Sequence, residues 1–265
     1  MTCRVIFFMI EEENMERYFN INEAKHSIKC KLYAERFNDI HSVIIFCHGF
    51  GGHKDNNAAY NFAQKTIKKH KDIVLITFNW PCHGDDVKKK LRLEDCDMYL
   101  HFVLKYVQEI WKDVNVYCYG TSFGGYLTLK YIKEHGNPFK KIALRSPAVC
   151  MYDVLKNRIL SNDDWDRLQG NKEVSAGFDK KIFIDKQYVE QLKHNDITQY
   201  DYIDLCEDIL FIHGSEDEIV PFETVYDFSN DNIIELVVIE GAEHRFRNVD
   251  HMNQANEAIW KFFGI

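Results

Sequence analysis

Proline is scarce in this chain: four residues, beside thirteen glycines, which excludes a proline-rich linker or a low-complexity array. No C-x-x-C pair occurs among the eight cysteines, so neither a zinc knuckle nor a dithiol redox motif is written here. H-E-x-x-H and G-x-x-x-x-G-K are also missing, and no sequence feature demands a metal or an organic cofactor. No apolar run approaches the roughly 20 residues that span a bilayer. Positive charge is not in excess. The formal net charge is -8, which argues against nucleic acid or an anionic membrane as partner. Lys88-Lys89-Lys90 reads as a solvated turn rather than a binding patch. No repeat is visible at solenoid periods.

What is present is an ordinary globular composition, 46% hydrophobic and 28% charged, in a length that suits one elaborated domain as well as two small ones. Cys47 and Cys118 lie inside apolar runs, where free cysteine behaves as a small hydrophobe. That placement predicts a reducing compartment, the cytoplasm. The opening "MTCRVIFFMI" stops at Glu11-Glu12-Glu13 without a small-residue cleavage site. It reads as an N-terminal strand or docked segment, with a degenerate signal peptide as the alternative.

Continuous apolar runs alternate with helical patterns. "SVIIFC" (42–47) is a continuous apolar run of the kind a strand covered on both faces carries, "IVLITFNW" (73–80) reads as the next buried strand, and "VNVYCYG" (114–120), "KIALRS" (141–146), "DILFIHG" (208–214) and "IIELVVIEG" (233–241) read as further strands. Between them, 55–70 (opened by an Asp55 cap), 93–111, 123–134 and 250–263 have helical spacing. Residues 17–35 read as an antiparallel hairpin turning near Asn22-Glu23. Strands alternating with helices predict a mostly parallel sheet with helices on both faces and the hairpin at one edge. Residues 147–205 break the alternation. They read as an inserted, mostly helical lid after the sixth strand, with a small hairpin at 181–185, leaving 1–146 and 206–265 as the core.

Ser122 sits between Gly120 and Gly124 at the junction of a strand and a helix. A serine at so sharp a turn is pushed into strained dihedrals, and side chains two residues either side would collide. The strain projects the hydroxyl beyond the sheet, where the helix N-terminus offers unpaired N–H groups to an oxyanion. A hydroxyl needs a base, and the base an orienting acid. The loops after the last two strands supply Asp217 and His244. Glu216 and Glu218 are rival acids, His213 reads as shaping its turn, and the plainer reading of Asp217 and His244 is a solvated loop. The N–H groups of Phe50, in H-G-F-G-G (48–52), and Phe123 are the expected oxyanion donors, with His48 holding the first loop in shape.

These residues resemble the α/β-hydrolase superfamily. H-G-F-G-G (48–52), G-T-S-F-G-G (120–125), H-G-x-x-D-x-x-V-P (213–221) and G-A-x-H (241–244) fall in that superfamily's order. "WPCHGDD" (80–86) resembles a further loop in which Cys82 replaces the usual glycine. The resemblance implies an α/β-hydrolase fold and a serine hydrolase with Ser122, His244 and Asp217 as triad. Lid position and motif wording are similar to small-lid carboxylesterases, among them feruloyl and cinnamoyl esterases, monoacylglycerol lipases and serine aminopeptidase-like hydrolases. A small-molecule carboxylic ester is therefore the expected substrate. Amide, peptide or thioester cleavage by the same triad is the alternative, and a non-catalytic binding protein a third. Oligomeric state stays open, a homodimer included. In the lid, Met151, Tyr152, Trp165 and Phe178 are candidates to line an acyl pocket, against the plainer reading that they pack the lid onto the body.

Overall fold

The computed structural model describes residues 15–177 and 181–265. The opening apolar segment and Phe178 lie outside the described residues.

The chain opens with an antiparallel hairpin, β1 (Met15–Glu23) and β2 (His26–Ala34). Its turn falls on Ala24-Lys25, two residues later than the sequence suggests, with Ala24 at φ 51°. The core strands β3 (Ser42–Cys47), β4 (Ile73–Phe78), β5 (Asn115–Thr121), β6 (Lys141–Arg145), β9 (Ile209–Gly214) and β10 (Glu235–Ile239) follow in chain order. They join the hairpin in one eight-stranded sheet ordered β1-β2-β4-β3-β5-β6-β9-β10. Among the described residues of this sheet, only the β1–β2 and β2–β4 pairs are antiparallel.

In the inner strands the apolar runs are explained by cover on both sides, whereas β10, at the sheet edge, is mostly half-buried or exposed. In β3, Val43, Ile45 and Cys47 pack into one core and Ile44 and Phe46 into the other. The first core meets α2 (Leu93–Ile110), α3 (Phe123–His135) and α7 (Phe222–Asp231). The second meets α1 (Asn57–Lys69) and α8 (Val249–Phe263). Helix α1 is capped by Asn56, whose side chain accepts the N–H of Ala59; Asp55, the cap expected from sequence, instead pairs with Lys54.

Chain order reverses at β3, which has β4 on one side and β5 on the other. The carboxyl ends of β3 and β5 therefore open a crevice at the point where open α/β sheets bind ligands.

Between β6 and β9 lie α4 (Met151–Val154), a π-helical turn at Leu155–Ile159, α5 (Asn162–Gln169), the two-stranded β7 (Val174–Ala176) and β8 (Ile182–Ile184), and α6 (Lys186–His194). Helix α6 is pinned to α2 by a forked ion pair, Arg92 Nη1 to Asp185 Oδ1 at 3.0 Å and Nη2 to Oδ2 at 2.6 Å. Gln191 adds bonds to Glu94 and to the N–H of Leu93. Among the described residues, no helix is long and apolar enough to cross a membrane.

Candidate active site

Ser122 adopts φ 51°, ψ -115°, a conformation that costs an L-residue of order 1–3 kcal/mol. Its surroundings over-determine it. Its N–H donates to the carbonyl of Arg145 at 3.0 Å, and its own carbonyl accepts from Gly125, Tyr126 and Ala148 at 2.9, 3.1 and 3.1 Å. The glycines make room. A Cβ on Gly120 would meet Leu144 at 2.7 Å, and one on Gly124 would lie 2.1 Å from the carbonyl oxygen of Cys47. Gly49 closes in from the neighbouring loop, where a Cβ would stand 3.3 Å from that of Ser122.

Three loops meet here. His244 Nε2 lies 3.1 Å from Ser122 Oγ, and His244 Nδ1 lies 3.0 and 2.8 Å from the two carboxylate oxygens of Asp217. Asp217 is fully enclosed, and its Oδ1 also accepts the N–H groups of Ile219 and Val220 at 2.9 and 2.8 Å. Burial alone would raise this carboxyl. The hydrogen bond and charge of His244, with His213 and the Val220 N–H, outweigh burial and hold it below the ordinary range. Asp217 is thus a fixed anion that accepts Nδ1–H and leaves Nε2 bare toward the hydroxyl.

The rival acids stand elsewhere. Glu218 accepts the backbone N–H of His244 at 3.1 Å, and Glu216 is exposed. His213 is fully buried, donates Nε2–H to Val220 O at 3.0 Å, and is kept below the usual imidazole range by burial. It braces the acid's turn.

In the H-G-F-G-G loop, the N–H of Gly52 closes a turn onto Gly49 O at 3.0 Å, with Gly51 at φ 75°. That turn makes no use of the Phe50 N–H. Phe123 opens α3, so its N–H has no carbonyl four residues back within the helix. The two rings meet edge-on, centroids 5.6 Å apart, which fixes one loop against the other. His48 donates Nδ1–H to Gly49 O at 2.8 Å and accepts the Trp80 N–H on Nε2 at 3.3 Å. Burial and the neighbouring His83 push it well below its usual range, so it stays neutral. Cys82, in the loop beside it, is at φ 68°, a conformation in which the glycine suggested by the resemblance would be unstrained.

The cleft over Ser122 has a volume of about 530 Å³. Among the described residues of the 147–205 insertion, only Ile159, at the end of the π turn, reaches it. Met151 and Tyr152 border a separate cavity of about 120 Å³, and Trp165 packs edge-on against Tyr152 at 6.0 Å. These three lie away from the serine because the helical turns direct them toward α3 and the rest of the insertion. The cleft is lined instead by Arg145, Arg245, Arg247, His53 and the first residues of α1. Arg145 is hidden in the sequence because it ends a run of buried-strand residues. The available signal is a cation at the carboxyl end of a core strand, one strand away from Ser122.

The sequence pattern of the prolyl oligopeptidase family matches residues 79–264, more than two thirds of the chain. Solved structures share the fold along nearly the whole length. Est1E from Butyrivibrio proteoclasticus is 20% identical with a TM-score of 0.75, over 93% of this chain and 97% of its own. A thermostable carboxyl esterase from Bacillus coagulans, solved with glycerol, is 18% identical at 0.68, over 96% and 98%. Mouse alpha/beta hydrolase domain-containing protein 10 is 14% identical at 0.69, over 94% and 98%. No curated protein matches the sequence.

Proposed function

The chain belongs to the prolyl oligopeptidase family, hydrolases of the α/β fold, and from that premise we propose that it is a serine esterase. The observation that carries the reading is the continuous line from Asp217 through His244 to Ser122 Oγ, with contacts of 2.8 and 3.1 Å. His244 Nε2 takes the hydroxyl proton as Oγ attacks an ester carbonyl, and Asp217 holds the tautomer and stabilises the imidazolium. The N–H groups of Phe50 and Phe123 receive the oxyanion. The protonated His244 then gives its proton to the leaving alcohol. Water, deprotonated by the same imidazole, splits the acyl-enzyme.

Residues 147–205 act as a lid of which Ile159 is the tip. The seven described cysteines are free thiols, which supports a reducing compartment.

Family membership favours a second reading, cleavage of a peptide bond, because the family is named for oligopeptidases. The cleft speaks against an aminopeptidase. An α-ammonium needs a free carboxylate beside the scissile bond, whereas the cleft's acid, Asp55, is already paired with Lys54 at 3.0 Å and Lys31 at 3.7 Å. Est1E is also known with ferulic acid bound, the acid half of an ester. A parallel panel of p-nitrophenyl esters and aminoacyl-nitroanilides tests the reading. Turnover of the esters, lost in Ser122→Ala, is expected; faster turnover of the anilides would replace it with the peptidase.

A further inference from the structure

We propose that the Ser122 cleft holds a built oxyanion-binding subsite centred on Arg145, so that the ester cleaved carries a carboxylate or phosphate near its scissile bond. The inference rests on the esterase reading of the same cleft.

Arg145 closes β6 in register with Thr121, and its carbonyl takes the Ser122 N–H at 3.0 Å. Its side chain therefore starts one strand from the nucleophile and lines the same cleft. The residue is 6% exposed. Its partners are poor ones for a cation. Nη1 meets the thioether of Met252 at 2.9 Å, the guanidinium carbon sits 5.1 Å from the centre of the Phe246 ring, and Nε is buried without a partner. No carboxylate among the described residues forms an ion pair with it.

Guanidinium cannot shed its proton, and an enclosed charge without a counter-ion is strongly unfavourable. Something has to neutralise it, and its planar fork of donors matches a carboxylate or a phosphate edge. The neighbouring wall suits the same ligand. Asn57 and Ala58, the first turn of the 13-residue α1, line the cleft, and that turn contains no acidic residue. The Ala59 N–H is taken by the Asn56 cap; the N–H groups of Asn57 and Ala58, with the helix dipole, favour negative charge. Exposed Arg247 stands on the rim.

Arg145 also braces the loop of His244 through Phe246 and the start of α8 through Met252. That role depends on the size and flatness of the side chain and does not distinguish an anionic from a neutral ester. Charge selectivity is therefore the readout. The wild-type protein should turn over mono-p-nitrophenyl glutarate with a kcat/KM roughly 10- to 100-fold above that of p-nitrophenyl pentanoate. Arg145→Met should collapse that ratio and Arg145→Lys restore part of it. A ratio unchanged in folded Arg145→Met would overturn the subsite.

Binding to Ser122→Ala by titration calorimetry needs no folded Arg145 variant. Glutarate binding more tightly than inorganic phosphate assigns a carboxylate, and the reverse order a phosphate. Binding of neither at about 10 mM, reached without heat, overturns the proposal. Wild-type protein inert to both esters would instead remove the esterase reading, and anion binding to Ser122→Ala, compared with the same titration of Ser122→Ala/Arg145→Met, would still report on Arg145.

Discussion

Gly124 lies so close to Cys47 that a single added methyl would sit 2.1 Å from the Cys47 carbonyl oxygen. The helix that follows Ser122 is thereby pressed onto the end of β3, and the H-G-F-G-G loop leaves that same strand. Backbone on both sides leaves nothing flexible to move aside. Gly124→Ala should destabilise by more than about 3 kcal/mol, the upper range for overpacking. Gly136→Ala is the comparison. At φ 86°, ψ 160°, with nothing within 4 Å, it meets backbone strain alone and should cost about 1–3 kcal/mol. Urea denaturation of both variants measures the difference.

Asp217→Asn keeps the shape and loses the charge. The amide can present its N–H to Nδ1, forcing the imidazole proton onto Nε2, where it faces the hydroxyl. A fall in kcat of about 10⁴-fold is expected. Glu218 is engaged with the His244 backbone and should give no rescue. Stopped-flow ester hydrolysis measures it, and a loss below about tenfold would mean that Asp217 is not the orienting acid.

The same carboxyl gives a stability signature. Its folded pKa lies below the unfolded value near 3.9, so the unfolded chain binds the proton first as pH falls. Its contribution is fully present above about pH 4 and is lost as pH drops through the folded value. His48 acts higher. Its folded pKa is well below about 6.5, so the stability linked to its neutral form is present above that pH and declines as pH falls below it. Tm should therefore begin to drop below about pH 6.5. Buried His213 is also held below its usual range and contributes in the same window, so His48→Asn, whose amide can still donate to Gly49 O, should make that part of the profile shallower without removing it. Thermal unfolding between pH 7.5 and 4.5 provides the comparison.

Arg92→Ala removes the fork that ties Asp185, the N-cap of α6, to the start of α2. The pair is partly buried, and its loss should lower the opening free energy of residues 186–194 by about 1–2 kcal/mol. Native-state hydrogen exchange should show the change in α6 and leave β3 and β5 untouched. Uniform loss of protection would mean that the insertion unfolds only with the core.

Much of this architecture was legible because the physics behind it is local. Burial on both faces writes unbroken apolar runs, and β3, β4, β5, β6 and β9 fall where those runs do. The requirement for Gly120 and Gly124 is steric and visible as spacing. The loops after β9 and β10 hold few residues able to act as acid or base. What was not legible depended on distant packing. Nothing near Trp165 tells whether its ring turns toward Ser122 or toward Tyr152; the direction is set by helical turns whose junctions carry no sequence signature. Arg145 was hidden for the opposite reason, since one cation at the end of an apolar strand looks like its solvated terminus until the fold encloses it. The cap of α1 slipped by one residue because Asp55 and Asn56 are both good caps and Lys54 claims the aspartate.

The central claim is that Ser122 is an activated nucleophile, and covalent labelling tests it most directly. Native protein treated with a fluorophosphonate and digested should carry one adduct, on the peptide containing Ser122. Unfolding in urea should abolish the reaction, since His244 and Asp217 then no longer flank the hydroxyl. An unlabelled Ser122 in folded protein, or equal labelling of folded and unfolded chains, would contradict the account.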